Sequence, residues 1–533
     1  MILKGSQINV ILFFGLYVYF IITFLICIFK YYKINDKCWV NIMKITVEDI
    51  LLTIGENIVK RSLSVKVKTD KTCKKITSMY QDIQQDTIFM LKRSDNTVYY
   101  AERANEMKPL IMITDASPST FKDFEFNMPV IYINDFPKVA NQLVKLYYGG
   151  AIDALNFIAV TGTNGKTTTC HMIGNLLTQL GEKVAIIGTM GVFDSHYNKM
   201  KFNHTTQTTP MYFEMGEIID YFYRENYDYI VYEATSIALE QRRIDFIQNE
   251  LAVFTNFSPE HLEYHGTMEK YLNAKLKLND LSKANLVNWD TLEYRTIAKD
   301  DLYFSNQEET YYQYHAKNNH IDIVIDGVKY RVHPTFQGGH NYINLATSMF
   351  ALHKIGFDIE DIIQAAHVIG SPLHRFQIIN IGAYTIILDF AHTALAVRES
   401  VNNALDYTDS IGKKLNTMIT GIGLRGFDKI ALTVDELPDG VHKLMLAAEQ
   451  VGYVDPKLII KFMNQHLPDC YKKRVVLNGC SRKEGIRELL YATDSNNEVI
   501  LLTGINEPQN YKGTKYEHDD QSYIEEILQM DVI

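Results

Sequence analysis

Short apolar runs alternate along this chain with longer stretches in which apolar positions return every third or fourth residue. Asn156-Phe-Ile-Ala-Val160 is one such run, and His171-Met-Ile-Gly-Asn-Leu-Leu-Thr-Gln-Leu180 after it has helical spacing. Lys183–Ile187, Tyr229–Glu233 and Leu251–Thr255 repeat the pattern, with helical segments between them. Buried strands joined by helices predict a parallel sheet with crossover connections. Upstream, Thr87–Leu91, Leu110–Thr114 and Val130–Ile133 read as strands of a smaller α/β domain. Downstream, Tyr384–Asp389, Asn416–Thr420 and Val499–Thr503 read as strands of another. The expected organisation is α/β throughout: a small N-terminal domain over 43–150, a central parallel-sheet domain over 151–371 and a C-terminal Rossmann-like domain over 372–533.

The N-terminus breaks this pattern. Asn9 to Phe29 carries no charge and is dense in Ile, Phe, Leu and Val. As a helix it would span roughly 31 Å, about one hydrocarbon core. Tyr31 and Tyr32 supply an interfacial belt, and Lys30, Lys33 and Lys37 outnumber Lys4 on the other side. Residues 1–42 are therefore expected to be a single-pass anchor, spanning at about 9–29, with the body on the cytoplasmic face. Met43 also reads as the start of a soluble domain, so the competing expectation is an extension from a mis-called start codon.

Composition adds exclusions. The 533 residues are 47% hydrophobic and 22% charged, ordinary for globular domains. The net charge of -10 argues against a general nucleic-acid binder. The six cysteines are scattered without Cys-x-x-Cys spacing, which fits a reducing compartment and neither a disulfide framework nor a zinc site.

Candidate chemistry begins where the first central strand ends. Gly162-Thr-Asn-Gly-Lys-Thr-Thr168 lies between the predicted strand and helix, the context of a phosphate loop. Gly162 and Gly165 let backbone N–H groups approach phosphate oxygens, with Thr163 and Asn164 between them, and the helix offers its positive end. Lys166 can reach the outer phosphates, and Thr167 or Thr168 can ligate magnesium. Glu233 ends a predicted parallel strand, at the sheet edge where ligands bind, and suits an oxygen-seeking magnesium ion. His261 and His265 lie four apart after the next strand, but Pro259 and Gly266 interrupt the helix that a zinc pair would need.

These segments, taken with others, resemble the Mur ligases. The resemblance rests on Gly162–Thr168, Thr208-Thr-Pro210, Glu233-Ala-Thr-Ser236 and Phe254-Thr-Asn-x-x-x-Glu-His-Leu-Glu-Tyr-His-Gly-Thr-Met-Glu269. It continues through Ala274-Lys275, Gly339-His-Asn-Tyr-Ile-Asn344, His374-Arg375 and Asp389-Phe-Ala-His-Thr393. It covers about residues 43 to 533, strongly in the middle, and looks closest to the branch that adds the third amino acid to UDP-N-acetylmuramoyl-dipeptide. The fold it implies is the family's three-domain architecture. It implies ATP and magnesium as cofactors, with Lys166 and Thr167 on the phosphates and metal, and Glu233 and His261 as magnesium ligands. Lys275 matches a lysine that is carbamylated in the family. Asn344, Arg375, Asp389 and His392 match ATP-contacting positions. Thr208, Thr209, Thr235, Gln241 and Arg243 match positions that hold the acceptor. The implied reaction activates a carboxylate as an acyl phosphate, which an incoming amine then attacks.

Both substrate ends depart from the pattern. No Asp-Asn-Pro-Arg motif is found, and the late Gly-Lys-Gly-His-Glu motif is reduced to Thr503-Gly-Ile-Asn-Glu507, leaving Glu507 as a candidate amine-binding carboxylate. Ile76-Thr-Ser-Met-Tyr80 stands where Asp-Ser-Arg is usual, Ile237 replaces a His and Ala394 a Pro. The expectation is an active ligase joining a UDP-muramoyl-peptide-like acceptor to an amino acid that need not be diaminopimelate or lysine. A membrane-tethered poly-γ-glutamate-type ligase and a non-catalytic nucleotide-binding scaffold are the alternatives.

Overall fold

The computed structural model describes residues 45–61, 68–202, 207–297, 302–317, 319–506 and 508–530. The apolar span at 9–29 lies outside them. No helix among the described residues is long and apolar enough to cross a membrane. The four cysteines within the described residues, Cys73, Cys170, Cys470 and Cys480, are unbonded.

Two compact units form. One gathers the described residues up to Leu155 with Pro210–Tyr227 and Gln241–Ile247. Its five-stranded sheet runs, from edge to edge, Ile58–Arg61, Val130–Ile133, Ile111–Thr114, Thr87–Leu91 and Lys75–Thr77, parallel except for the first strand. The three runs expected in the N-terminal domain are its central strands. The helix Phe136–Ala154 buries Val139, Ala140, Leu143 and Val144 and packs on the helix Tyr212–Arg224, whose Gly216 lies against Tyr148 and Val144. The chain thus returns to this unit from within the central region.

The second unit comprises Asn156–Thr209, Asp228–Glu240 and the chain from Gln248 onward. The core of its larger sheet is the parallel set Asn285–Asn288, Leu251–Phe254, Asn156–Thr161, Tyr229–Glu233 and Val184–Gly188. These strands are almost wholly buried, as strands covered by helices on both faces must be. Beyond Asn285–Asn288 the sheet continues through Leu302–Ser305 and Tyr312–Ala316 to the antiparallel strands Ile321–Ile325 and Val328–Val332. The helices Lys166–Gln179 and Gly339–Lys354 pack together in its core through Met172, Ile173, Leu345 and Met349.

A six-stranded sheet completes this unit, ordered Gln377–Ile381, Tyr384–Leu388, Glu498–Leu502, Lys414–Ile422, Lys443–Glu449 and Val475–Gly479. Its first pair is antiparallel and the rest parallel. The strands therefore end together, and the loops after Leu388, Ile422, Glu449 and Leu502 share one edge, the position from which open α/β sheets bind ligands.

Candidate active site

The phosphate loop is held in shape by the neighbouring strand end. Gly162 has φ 147°, and a Cβ there would lie 1.9 Å from Thr255 Oγ1, so only glycine allows this approach. Asn164 N–H donates to Asn256 Oδ1 at 2.8 Å, and its carbonyl accepts from Thr255 Oγ1 at 2.7 Å and Asn256 Nδ2 at 3.2 Å. Thr163 N–H donates to Asn256 O at 2.9 Å. Gly165 caps the helix Lys166–Gln179 in the left-handed region, φ 82°, and a Cβ there would lie 2.7 Å from Asn344 Oδ1. Asn344, distant in sequence, is thus seated on the loop, where it also accepts from Thr169 Oγ1 at 3.3 Å.

Two lysines converge on the loop. Lys166 Nζ donates to Gly162 O at 2.9 Å and Thr163 O at 2.8 Å. Lys275 Nζ donates to Gly162 O at 2.6 Å and lies 4.6 Å from the centre of the Tyr271 ring. Lys275 is 1% exposed, on a helix (Met268–Asp280) capped by Thr267. Burial first, and then the Lys166 ammonium, hold its amine well below the usual lysine range, because no carboxylate compensates. Burial also lowers Lys166, while Glu233 opposes the shift.

Glu233 ends its strand 1% exposed. Its Oε1 accepts from Thr167 Oγ1 at 2.8 Å and from Thr189 N–H at 2.8 Å, and Thr189 Oγ1 lies 3.3 Å from Oε2. Thr209 Oγ1 donates to the Glu233 carbonyl at 2.7 Å and lies 3.0 Å from Thr235 Oγ1. Thr208 Oγ1 is 3.2 Å from Thr189 Oγ1. The threonines assigned to the acceptor and the carboxylate assigned to the metal therefore share one sheet edge. The Thr167 hydroxyl and the Glu233 carboxylate form a buried oxygen pair of the kind magnesium requires.

His261 adopts φ 55° at the start of the short helix Leu262–His265. Burial and then the Lys166 charge push its imidazole down to about 4, so the ring is neutral and able to ligate at neutral pH. His265 instead contacts Ser236 Oγ through Nε2 at 3.0 Å. From the C-terminal sheet, Asp389 is 8% exposed, and the His392 ring is held neutral, near 3, by burial and by Arg425. The Arg375 guanidinium lies 4.8 Å from the Phe390 ring centre.

Arg243 donates from Nε and Nη2 to Gln241 Oε1 at 2.9 and 2.8 Å; both residues belong to the N-terminal unit. Glu507 lies outside the described residues. Two further groups at the site carried no motif signal. Thr189 binds both oxygens of Glu233, and Arg425, after the strand Lys414–Ile422, donates to His392 O at 3.2 Å. Position at a parallel strand's carboxyl end was the available clue for each.

Residues 160–352, which span the loop, Glu233, His261, Lys275 and Asn344, match the Mur ligase middle domain. The chain is 28% identical over 418 residues to the UDP-N-acetylmuramoyl-L-alanyl-D-glutamate–2,6-diaminopimelate ligase of Aquifex aeolicus, covering 75% of this chain and 83% of that one. The chain belongs to the Mur ligase family. It is an ATP-dependent amide-bond ligase of the type that forms ADP and phosphate. A second diaminopimelate ligase, from Clostridium acetobutylicum, is 26% identical over 502 residues, 90% of this chain and 99% of the relative. A solved diaminopimelate ligase structure shares the fold of this Mur ligase with a TM-score of 0.61 at 20% identity, covering 92% of this chain and all of the other.

Proposed function

We propose that this Mur ligase joins an amino acid to the terminal carboxylate of a UDP-N-acetylmuramoyl-peptide, the dipeptide first among candidates, in cell-wall synthesis. The observation that carries the reading is the buried constellation of Lys166, Lys275, Thr167 and Glu233 around one phosphate loop. The acceptor follows from relatives aligned along most of the chain.

The acceptor carboxylate oxygen attacks the γ-phosphorus of ATP, the bond to the β-bridging oxygen breaks, and ADP leaves. The amine of the incoming amino acid then attacks the acyl carbon, losing a proton as phosphate departs. No enzyme nucleophile is required. The chain contributes position and charge neutralisation: the loop N–H groups and Lys166 stabilise the transferring phosphoryl group. Thr167, Glu233 and His261 would hold magnesium, which supplies further positive charge at the phosphates.

Lys275 is read as a carbamate. Its neutral amine can attack carbon dioxide and lose a proton, which places an anionic carbamate beside the Lys166 ammonium. Thr208, Thr209, Thr235, Gln241 and Arg243 are read as acceptor-binding on the resemblance. On sequence alone, residues 9–29 are read as a single-pass anchor leaving the body at the cytoplasmic face.

The test is phosphate release by the full-length chain in detergent micelles, given ATP, magnesium, UDP-muramoyl-Ala-Glu and single amino acids in turn, with mass analysis of products. Release that requires the acceptor and one amino acid is the expected result and names the specificity. Release that requires a poly-γ-glutamate primer and ignores UDP-muramoyl peptides would overturn the acceptor assignment.

A further inference from the structure

One residue of the C-terminal sheet's first helix reaches the site without belonging to any motif. Asn403 lies on the helix Ala394–Ser410, which starts directly after His392 and is capped by Thr393. Its Oδ1 accepts from Gly339 N–H at 2.8 Å, in the first turn of the helix Gly339–Lys354. Its Nδ2 lies 2.8 Å from His340 Nδ1 and donates to Glu399 O at 2.6 Å. This is a side-chain cap from one sheet's helix onto an otherwise orphaned donor of another's. The capped helix carries Asn344, five residues further on, seated against Gly165 of the phosphate loop. The capping helix continues from Asp389 and His392.

The orientation of the amide is fixed. Gly339 N–H can only donate and Glu399 O can only accept, so Oδ1 must face the first and Nδ2 the second. Nδ2 therefore presents a hydrogen to His340 Nδ1, which must be unprotonated. A protonated His340 would set N–H against N–H. Its surroundings favour the neutral ring: burial and the Arg375 guanidinium push His340 below the ordinary imidazole value, against Asp389 and Glu399, which pull it upward. Phe376 packs edge-on against the ring with centroids 5.5 Å apart.

We propose that Asn403 is a positioning residue for nucleotide binding: paired with neutral His340, it docks the helix behind His392 onto the helix that carries Asn344, and protonation of His340 releases the pair. The proposal deepens the ligase reading, since the site it serves is the ATP site.

The experiment is titration of the full-length chain with ADP and magnesium from about pH 5 to about pH 8. Asn403→Ala should weaken ADP binding about tenfold at neutral pH, the loss of roughly two net hydrogen bonds. Wild-type affinity should fall toward that of the alanine variant as pH drops. Asn403→Asp still accepts from Gly339 N–H but loses the bonds that Nδ2 donates to Glu399 O and to neutral His340, so it should be weakened at neutral pH; because it can accept from a protonated His340, its affinity should hold or rise as pH falls, where the wild type's drops. His340→Phe keeps the ring contact with Phe376, and its affinity should not show the acid step. A purely structural role for Asn403 would weaken the Ala and Asp variants alike at every pH. Wild-type affinity in Asn403→Ala throughout, or an unchanged acid limb in Asn403→Asp, overturns the proposal. ADP binding needs neither acceptor nor amino acid, so a failure of the ligase reading in the phosphate-release assay is distinguishable from a failure here.

Discussion

Lys166 and Lys275 share one hydrogen-bond acceptor: both Nζ atoms reach the carbonyl oxygen of Gly162, at 2.9 and 2.6 Å. Two ammonium groups meeting in a buried pocket repel strongly, because the low local dielectric leaves their Coulomb energy poorly screened. The pair is stable if Lys275 is neutral, or if it has become an anion. The carbamate reading takes the second route. Lys275→Ala should therefore lower turnover by about 100-fold or more, with nucleotide binding largely kept, since a positioned charge is lost. Formate or acetate at high concentration should restore part of the rate by occupying the emptied space. Steady-state phosphate release with and without added carboxylate checks this, and undiminished turnover in the variant would rule the carbamate out.

Glu233 offers a cleaner separation of charge from shape. Glu233→Gln keeps an oxygen that can accept from Thr167 Oγ1 and Thr189 N–H, so the strand end should fold as before. The negative charge is gone, and with it the strongest attraction for a divalent cation. Turnover at saturating ATP should drop by about 100-fold, with a higher magnesium concentration needed for half-maximal rate. A magnesium titration of phosphate release distinguishes this from general damage, which would lower the rate without shifting the titration.

The phosphate loop and the strands around it were legible because they are local: glycines, a lysine and an apolar run stand next to one another in the chain. The meeting of Lys275 with Gly162 was not legible from spacing, since crossover helices separate them. Resemblance to a family supplied the lysine but not its contact. Thr189, Arg425 and Asn403 carry no local signature; each acquires its role from where a strand or helix ends in space. The outer strands Tyr312–Ala316, Ile321–Ile325 and Val328–Val332 were not predicted either. Tyr312–Ala316 is buried irregularly, and Val328–Val332 is a polar edge strand whose Lys329 and Arg331 pair with Asp322. The helix Tyr212–Arg224 likewise reads as part of the central region, and its apolar face alone could not show that it packs on Phe136–Ala154.

His171 makes stability depend on pH. It sits in the phosphate-loop helix, 1% exposed, packed edge-on against Phe193 and beside Tyr197 OH at 3.2 Å. Its Nε2 is buried with no hydrogen-bond partner among the described residues. Burial pushes the ring down to about 3, whereas the unfolded chain titrates near 6.5. Between these values the unfolded state binds the extra proton. The stabilisation is therefore complete above about pH 6.5 and is lost as pH falls toward 3, by about 2 kcal/mol at pH 5. His171→Leu should flatten that part of the profile. Urea unfolding of both proteins across this range is the check; parallel profiles would mean that other groups carry the acid sensitivity.

Arg482 anchors the edge of the C-terminal sheet. Its side chain is 1% exposed and bonds to Glu449 Oε2 at 2.8 Å, Thr503 O at 2.8 Å and both oxygens of Asp520, at 2.8 and 2.5 Å. Glu449 in turn accepts from Ile505 N–H, and Asp520 N–H donates to Asn506, whose amide meets His374 Nε2 at 3.1 Å. The loop after Leu502 is thus tied through one guanidinium to the segment that bears Arg375. Arg482→Met would leave Glu449 buried without its counter-charge and Asp520 with only His518 Nε2, at 2.6 Å, beside it; breaking a buried pair in this way typically costs about 3–5 kcal/mol. Because the loss is local, hydrogen exchange should quicken in residues 503–506 more than in the strand Asn156–Thr161, and the denaturation midpoint should fall. The double variant Arg482→Met/Glu449→Gln should recover part of the loss by removing one unpaired charge. Equal destabilisation of the single and double variants would show that the guanidinium's hydrogen bonds to Thr503 and Asp520, and not the charge on Glu449, hold this edge together.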